Sequence, residues 1–205
     1  GPALDSVLQT SAKPIIAVVA NSGDHVREHA HVIERSGGEP WAVLPEHRMS
    51  SEETVARAGG LVVCAGYEEA SVTSQEHRQD NHPLTLPLLE TALKTNMPVL
   101  CVSMGMQALN VAMGGKPGQA IPGHGILKKE DEMVSSYHRI YISPGSKLAA
   151  VVGSGGFVRV NSRHHQGVTE IQKSPLLLAS AYSLDDGVIE SLESPHHRWV
   201  IGVQF

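Results

Sequence analysis

Ser103 stands at the junction of two sequence patterns. The apolar run at residues 98–102 ends at Ser103, and a helical pattern begins at Met104 with no loop between them. Such a run, bounded by proline, predicts a buried parallel strand. The side chain at a sharp strand-to-helix turn points outwards over the free N–H groups of the helix, where negative charge is favoured. This pattern is typical of a nucleophile elbow, in which Gly105 would let the helix pack closely on the strand.

The elements before this junction alternate between strand and helix. Apolar runs predict strands at residues 15–20, 40–44, 61–64 and 98–102. Helical spacing predicts helices at 26–35 and 84–95. A capping box, Ser50 with Glu53, predicts the start of a further helix. Residues 67–82 are polar and are predicted as a loop. The alternation predicts a doubly wound parallel sheet with helices on both faces. Ligands bind such sheets at the carboxyl ends of the strands, where Ser103 and Gly66 are both expected to lie.

The second half of the chain changes character. Its pattern predicts irregular strands within residues 123–143, a helical turn at 145–152, and strands at 157–162, 176–182, 187–192 and 199–205, with a hairpin turn at 185–187. We expect one domain over residues 15–205. Residues 1–14 are set aside as the remnant of a cleaved tag followed by a polar leader.

Composition excludes several classes of protein. Of the 205 residues, 41% are hydrophobic and 18% are charged, which is ordinary for a globular protein. The net charge of −5 and the lack of a basic cluster argue against a nucleic-acid partner. No apolar run approaches the ~20 residues that span a bilayer, so no membrane partner is predicted. Cys64 and Cys101 lie in apolar runs, which favours free thiols in the cytoplasm, although neighbouring strands could bring them together as a redox pair.

The twelve histidines raise the question of a metal site. His29 and His31 are two residues apart on a predicted helix and therefore point to different faces. The adjacent pairs at 164–165 and 196–197 have poor spacing for one ion, and no C-x-x-C or H-E-x-x-H pattern occurs. The sequence therefore predicts neither a metal site nor another cofactor.

Four motifs follow one another along the chain: PVLCVSMGMQALNVAMGG at 98–115, VNSRHHQ at 160–166, GVIESLE at 187–193 and WVIGVQF at 199–205. Together they resemble the class I glutamine amidotransferase-like superfamily, most closely its γ-glutamyl hydrolase branch, the peptidase C26 type that includes γ-glutamyl-GABA hydrolases. The resemblance spans about residues 15–205. It implies an α/β fold, a flavodoxin-like three-layer sandwich with a mainly parallel central sheet.

The resemblance also implies a set of site residues. The family places a cysteine nucleophile at the elbow, here the position of Ser103, to attack a γ-glutamyl amide. A histidine then acts as base and acid, oriented by a glutamate two residues later. Gly66 and the N–H of Met104 would form the oxyanion hole. The residues implied to line the pocket for a γ-glutamyl or glutamine-like ligand are Gln107, Ser162, His164, His165 and Gln166.

Two departures from the family pattern bear on activity. The nucleophile position holds serine, and the sequence stops at Phe205, one residue before the expected His-Pro-Glu, so we expect the domain to be incomplete at this end. A serine hydroxyl is far harder to deprotonate than a thiol, and an impaired or inactive enzyme is predicted. Ser103 is then, in order of preference, an introduced replacement that traps substrate, a natural feature of a pseudoenzyme, or a working nucleophile completed by missing residues.

Three further side chains could take part in the chemistry. Cys101, two residues before the elbow, is either a displaced nucleophile or, more simply, a small buried hydrophobe. His164 or His165 could substitute as the base. The leading hypothesis is a γ-glutamyl amide hydrolase that works through an acyl-enzyme. The alternatives are a non-catalytic binding or regulatory module and, more weakly, the glutaminase subunit of a synthase. The sequence is also compatible with a homodimer.

Overall fold

A computed structural model describes residues 12–68, 81–120, 127–129, 132–134, 136–162 and 166–205. In chain order the elements are β1 (Ile15–Val19), α1 (Gly23–Arg35), β2 (Glu39–Val43), α2 (Ser51–Arg57), β3 (Gly60–Val63), β4 (Gly66–Tyr67), β5 (Asn81–His82), α3 (Thr85–Thr95), β6 (Val99–Val102), α4 (Met104–Ala112), β7 (Gln119–Ala120), β8 (Leu127–Lys129), β9 (Glu132–Val134), β10 (Ser136–Ile142), α5 (Lys147–Val152), β11 (Gly156–Ser162), β12 (Gln166–Gly167), β13 (Leu178–Ser183), β14 (Ile189–Glu193) and β15 (Val200–Val203).

One large mixed sheet organises the fold. Within the described residues it has nine strands, in the order β11-β10-β13-β14-β15-β6-β3-β1-β2. Every neighbouring pair from β15 to β2 is parallel, which confirms the doubly wound pattern predicted for the first half of the chain. Every pair from β11 to β15 is antiparallel. The connection between β13 and β14, residues 184–188, is too short for a parallel crossover, so these strands pair as the predicted hairpin.

Helices cover both faces of the sheet. Ala17 of β1 belongs to a core shared with α2, α3 and α4, whereas its neighbour Val18 belongs to a core shared with α1. Leu100 of β6 packs on the α1 side and pairs with Ile201 of β15. Val203, two residues further along β15, packs with the cluster that contains α5. Helices α1 and α5 therefore lie on one face and α2, α3 and α4 on the other, which confirms the three-layer sandwich.

Serine caps set the starts of the first two helices. The Ser50 hydroxyl accepts a hydrogen bond from the N–H of Glu53 at 3.1 Å, so the predicted cap of α2 is present. The Ser22 hydroxyl accepts from the N–H of His25 at 3.2 Å. This second cap starts α1 at Gly23, ahead of the apolar spacing that predicted a helix from residue 26.

The two cysteines are both free and buried, as expected for thiols in apolar strands. Cys101 belongs to the core shared with α4, whereas Cys64 belongs to the core shared with α1. Their side chains therefore point to opposite faces of the sheet. The alternative of a redox pair between them has no support in this geometry.

The segment predicted as a loop at residues 67–82 begins and ends in short strands. Residues 69–80 lie outside the described part of the chain. Strands β4 and β5 pair in parallel, with Gly66 opposite Asn81 and Tyr67 opposite His82. A strand pair of this size has too little hydrophobic periodicity to be recognised in a sequence.

His82 anchors this strand pair from a fully buried position. Its Nε2 donates to the carbonyl oxygen of Val43, and its Nδ1 accepts from the N–H of Leu84, each at 3.0 Å. One ring nitrogen donates and the other accepts, which only the neutral imidazole can do. Burial is the main cause that lowers the pKa of His82, and it outweighs the backbone carbonyls and Glu68, which act in the opposite direction.

Acidification is expected to destabilise the fold through His82. The pKa of His82 lies below its ordinary value of 6.5, so the unfolded chain binds more protons in the interval between the two values. The stabilisation is complete above pH ~6.5 and is lost as the pH falls through that interval. We expect the urea midpoint to drop between about pH 7.5 and about pH 5.5, and to drop less in His82→Gln, which cannot titrate.

The urea midpoint of His82→Gln should still fall on acidification, but by less than that of the unmodified chain, since burial also lowers the pKa of His29. The matched control is His31→Gln, at an exposed position of α1. This control should keep the full pH dependence. An equal fall of the urea midpoint in His82→Gln and in the unmodified chain would show that the titration of His82 does not destabilise the fold.

Candidate functional site

Ser103 forms a sharp turn between β6 and α4. Its φ of 55° and ψ of −116° lie outside the left-handed helical region, and its φ is positive although it is not glycine. The Ser103 N–H donates to the carbonyl oxygen of Val203 at 2.8 Å, which ties the turn to the end of β15. Its side chain makes no capping hydrogen bond to α4, and the residue is partly exposed. This is the strained, outward-facing turn that the sequence predicts for an elbow.

Two glycines let α4 approach the sheet behind the elbow. A Cβ on Gly105 would lie 2.0 Å from the carbonyl oxygen of Val63 in β3. A Cβ on Gly202 of β15 would lie 2.8 Å from Cγ of Met106 in α4. The first contact is with rigid backbone, which cannot move aside as a side chain can. The absence of a side chain at Gly105 is therefore a condition for the elbow to form.

The loop after β3 lies beside α4 and carries the predicted oxyanion donor. Ala65 is not available for this role, because its N–H donates to the carbonyl oxygen of Val19 at 3.2 Å. Gly66 is buried in β4, which contacts α4. Met104 is the first residue of α4, where N–H groups have no partner within the helix. The fold thus brings the loop of Gly66 next to the helix that starts at Met104, as the sequence predicts.

Gln107 is buried beneath the elbow. It is 2% exposed, and its Nε2 lies 3.5 Å from Oε1 of Gln204 and 3.8 Å from Sδ of Met104. A Cβ on Gly118 would lie 2.8 Å from Oε1 of Gln107 and 3.0 Å from the carbonyl oxygen of Gly167. Gln107 therefore connects the elbow helix to the end of β15 and to the strand pair β7–β12.

The predicted pocket residues at 162–166 are only partly described by the structure. Residues 163–165, and with them His164 and His165, lie outside the described residues, as do the side chains of Ser162 and Gln166. The backbone on either side is described. Strand β11 ends at Ser162, and β12 pairs Gln166 with Ala120. The described backbone therefore ends at the outer edge strand β11 and resumes in β12, next to the strand that follows Gly118.

A buried pair of titratable side chains was not predicted. Nε2 of His138 in β10 lies 2.7 Å from Oε1 of Glu190 in β14, and the two side chains are 7% and 0% exposed. Glu190 also accepts a hydrogen bond at its carbonyl oxygen from the N–H of Gln204 at 2.9 Å. Glu190 falls within the motif GVIESLE, but nothing in the sequence pairs it with one of twelve histidines.

His138 is too far away to act as the base for Ser103. Strands β13, β14 and β15 separate β10 from β6, which bears the elbow. Neighbouring strands are spaced by about 4.8 Å, so the backbones of β10 and β6 are about 19 Å apart. The side chains of a histidine and a serine together are too short to bridge this distance. The pair of His138 and Glu190 therefore supports the antiparallel half of the sheet and does not belong to a Ser–His arrangement with Ser103.

The comparisons with known proteins agree with this geometry. Residues 11–205 match the family model described as Peptidase C26. The chain belongs to this family. A "Putative glutamine amidotransferase" of Mycobacterium tuberculosis (strain ATCC 25618 / H37Rv) is 32% identical over 156 residues, 71% of this chain and 49% of the relative. The gamma-glutamyl-gamma-aminobutyrate hydrolase of Escherichia coli (strain K12) is 28% identical over 130 residues, 60% of this chain and 50% of the relative.

The chain thus spans about half the length of these two relatives. Among solved structures, the glutaminase domain of CTPS from Trypanosoma brucei with bound acivicin superposes with a TM-score of 0.68 at 16% identity, covering 94% of this chain and 85% of that chain. This likeness concerns the fold. Family and relatives assign the chain to the class I glutamine amidotransferase-like superfamily, in its γ-glutamyl hydrolase-like branch. Among the helices of the described residues, none is long and apolar enough to cross a membrane.

Replacing Gly105 with alanine should be strongly destabilising. The added Cβ would stand 2.0 Å from a backbone oxygen, so α4 must move away from β3 or the turn at Ser103 must change. Overpacking costs roughly 1–3 kcal/mol of unfolding free energy and occasionally more, and the contact with backbone puts this substitution at the upper end of that range. Urea unfolding followed by circular dichroism measures the loss.

Gly23→Ala is the matched control for this substitution. Gly23 is the first residue of α1, and its Cβ would meet only the end of the Arg27 side chain at 3.8 Å. The control should change the unfolding free energy by less than about 0.5 kcal/mol. If Gly105→Ala were tolerated equally well, the close contact between α4 and β3 would not be what holds the elbow.

Proposed function

We propose that this chain is a γ-glutamyl amide hydrolase by descent, with serine at the nucleophile position, so that it is catalytically impaired as it stands. The observation that carries the proposal is the backbone of Ser103. Its positive φ and its position at the start of α4 hold a side-chain oxygen at the carboxyl edge of the sheet. Membership of the Peptidase C26 family supports the choice of a γ-glutamyl amide as substrate class.

In the proposed reaction the oxygen of Ser103 takes the role of the family's sulfur. It bonds to the γ-carbonyl carbon while its proton passes to a base, which the resemblance expects directly after Phe205. The N–H groups of Gly66 and Met104 would hold the oxyanion. The C–N bond then breaks, and the amine leaves with the proton from the base. Water hydrolyses the resulting ester, which releases glutamate and restores the hydroxyl.

Impairment follows from the chemistry of the nucleophile. A thiol has an ordinary pKa of ~8.5 and reaches the thiolate readily beside a base and a helix N-terminus. A hydroxyl does not ionise in this range and depends on a base in close register during the attack. The replacement leaves the backbone donors and the pocket in place, so ligand binding is expected to survive.

Recognition of the γ-glutamyl group is assigned to Gln107 and to residues 162–166. The support for this assignment is the set of contacts beneath the elbow, where Gln107 approaches Gln204 and lies beside Gly118, which itself lies against the backbone of Gly167. Ser162, His164, His165 and Gln166 would supply polar groups from the segment that leads to β12. The buried free thiols of Cys64 and Cys101 support a reducing, cytoplasmic setting.

Ser103 itself favours a second candidate, a non-catalytic binding module. The chain keeps the strained turn and the buried Gln107 while the reactive sulfur is replaced. A protein of this kind would hold a γ-glutamyl or glutamine-like ligand without cleaving it. The two candidates differ in what a restored thiol would do.

The deciding experiment restores the nucleophile as Ser103→Cys in the chain extended along its own gene past Phe205. With γ-glutamyl-γ-aminobutyrate, other γ-glutamyl amides and glutamine as substrates, we expect turnover to rise by at least about a hundredfold over the serine form, since loss of a hydrolase's proper nucleophile costs more than this in kcat. Intact mass should detect a γ-glutamyl thioester. Amine or ammonia release distinguishes the conjugates from glutamine.

Two controls accompany the restored thiol. Ser36→Cys adds a thiol at an exposed position after α1 and should give no turnover. Ser103→Ala removes the oxygen and should keep ligand affinity. Ligand binding by Ser103→Cys without turnover or adduct would replace the hydrolase with the binding module. The absence of both ligand binding and turnover would exclude both candidate functions.

A further inference from the structure

Three side chains that could ligate a metal meet at the carboxyl edge of the sheet, on the face opposite α4. His25 and His29 are four residues apart in α1 and so lie on the same side of the helix. Their rings are 5.9 Å apart between centroids. Cys64 follows β3 and packs in the core beneath α1. One ligating atom from each of the three residues lies within 4.8 Å of the other two.

We propose that His25, His29 and Cys64 bind a borderline-soft divalent transition metal ion of the Zn²⁺ class. Two imidazoles and one thiolate are ligands that Zn²⁺ prefers, whereas Mg²⁺ and Ca²⁺ require oxygen. The fourth tetrahedral position would be open to water or to a ligand from solution, because both imidazoles are only half-buried. The proposal does not depend on the function proposed for Ser103.

The geometry needs only a small closure. Zn–N distances of about 2.0 Å and Zn–S distances of about 2.3 Å place tetrahedral ligand atoms roughly 3.3–3.6 Å apart. The three ligating atoms of this cluster lie within 4.8 Å of one another, so no separation must shrink by more than about 1.5 Å. Rotation of the half-exposed imidazoles supplies this movement, while the buried Cys64 stays in place.

The surroundings of the cluster bear on the thiolate in two ways. Burial raises the pKa of the Cys64 thiol, and the carboxylate of Glu28 acts in the same direction, so the thiolate is not favoured without a cation. A bound cation displaces the thiol proton to solvent and takes the sulfur as thiolate. Glu28, exposed on α1, adds negative potential that favours the cation.

This site departs from the sequence-based expectation of no metal. His29 and His31 point to different sides of α1, so they do not form a site together. Cys64 is distant in the sequence and reaches the helix only because α1 packs across the end of β3. The metal would also lie next to the Gly66 loop, since Cys64 is followed by Ala65 and Gly66.

Cobalt titration tests the site directly. The whole chain, free of any affinity tag, is stripped with a chelator, kept reduced with a phosphine, and titrated with Co²⁺. We expect one Co²⁺ per chain, with the absorption of tetrahedral Co²⁺ and a thiolate-to-metal charge-transfer band, both lost on addition of Zn²⁺. His25→Ala and His29→Ala should each weaken Co²⁺ binding at least about tenfold, since even an outer-shell partner is worth that much.

Matched variants separate this cluster from adventitious binding. Cys64→Ser should abolish the charge-transfer band, whereas Cys101→Ala should keep it. His31→Ala, exposed on the same helix, should bind Co²⁺ as the unmodified chain does. Circular dichroism establishes that each variant is folded, and the half-exposed His25 keeps the test available if the buried Cys64 is not replaceable. No thiolate band, a band that survives in Cys64→Ser, or equal weakening in His31→Ala would overturn the proposal.

Discussion

The contact between α4 and the backbone of β3 is the constraint on which the rest of the structure depends. A helix that starts directly from a central strand must pass over its neighbour, and the space above the Val63 carbonyl admits no side chain at residue 105. With glycine there, the chain can turn within one residue. The backbone strain of that turn falls on Ser103, whose φ is 55°. A hydrogen bond from its N–H to the carbonyl oxygen of Val203 in β15 stabilises this conformation.

Behind this contact, α4 is held by buried polar side chains. Asn110, fully buried, donates to the carbonyl oxygens of Lys116 and Gln172 at 3.1 and 2.9 Å and accepts from the N–H of Ser174 at 2.7 Å. A Cβ on Gly115 would lie 2.4 Å from this amide, so the loop after α4 closes around it. Buried amides are costly unless bonded, and their bonds therefore specify one position for the helix.

The antiparallel half of the sheet supports the site from the other side. Glu190 holds His138 with its side chain and Gln204 with its backbone, and Gln204 in turn approaches Gln107 in α4. The end of β15 thus receives polar contacts from both neighbours at the level of the elbow. The motifs GVIESLE and WVIGVQF thus contribute Glu190 and Gln204 to the contacts beside the elbow, although neither contains the nucleophile. They shape the edge of the sheet where the pocket is expected.

The sequence alone determined the alternation of strands and helices in the first half of the chain, the parallel half of the sheet, the capping of α2 and the elbow, because each is a local pattern of apolar spacing, caps and glycine. It did not reveal the β4–β5 pair anchored by His82, the partnership of His138 with Glu190, or the meeting of His25, His29 and Cys64. Each of these contacts joins residues that are far apart along the chain and lie on different helices or strands. Only the packing of α1, β3 and the antiparallel strands decides which of twelve histidines stands next to which thiol or carboxylate.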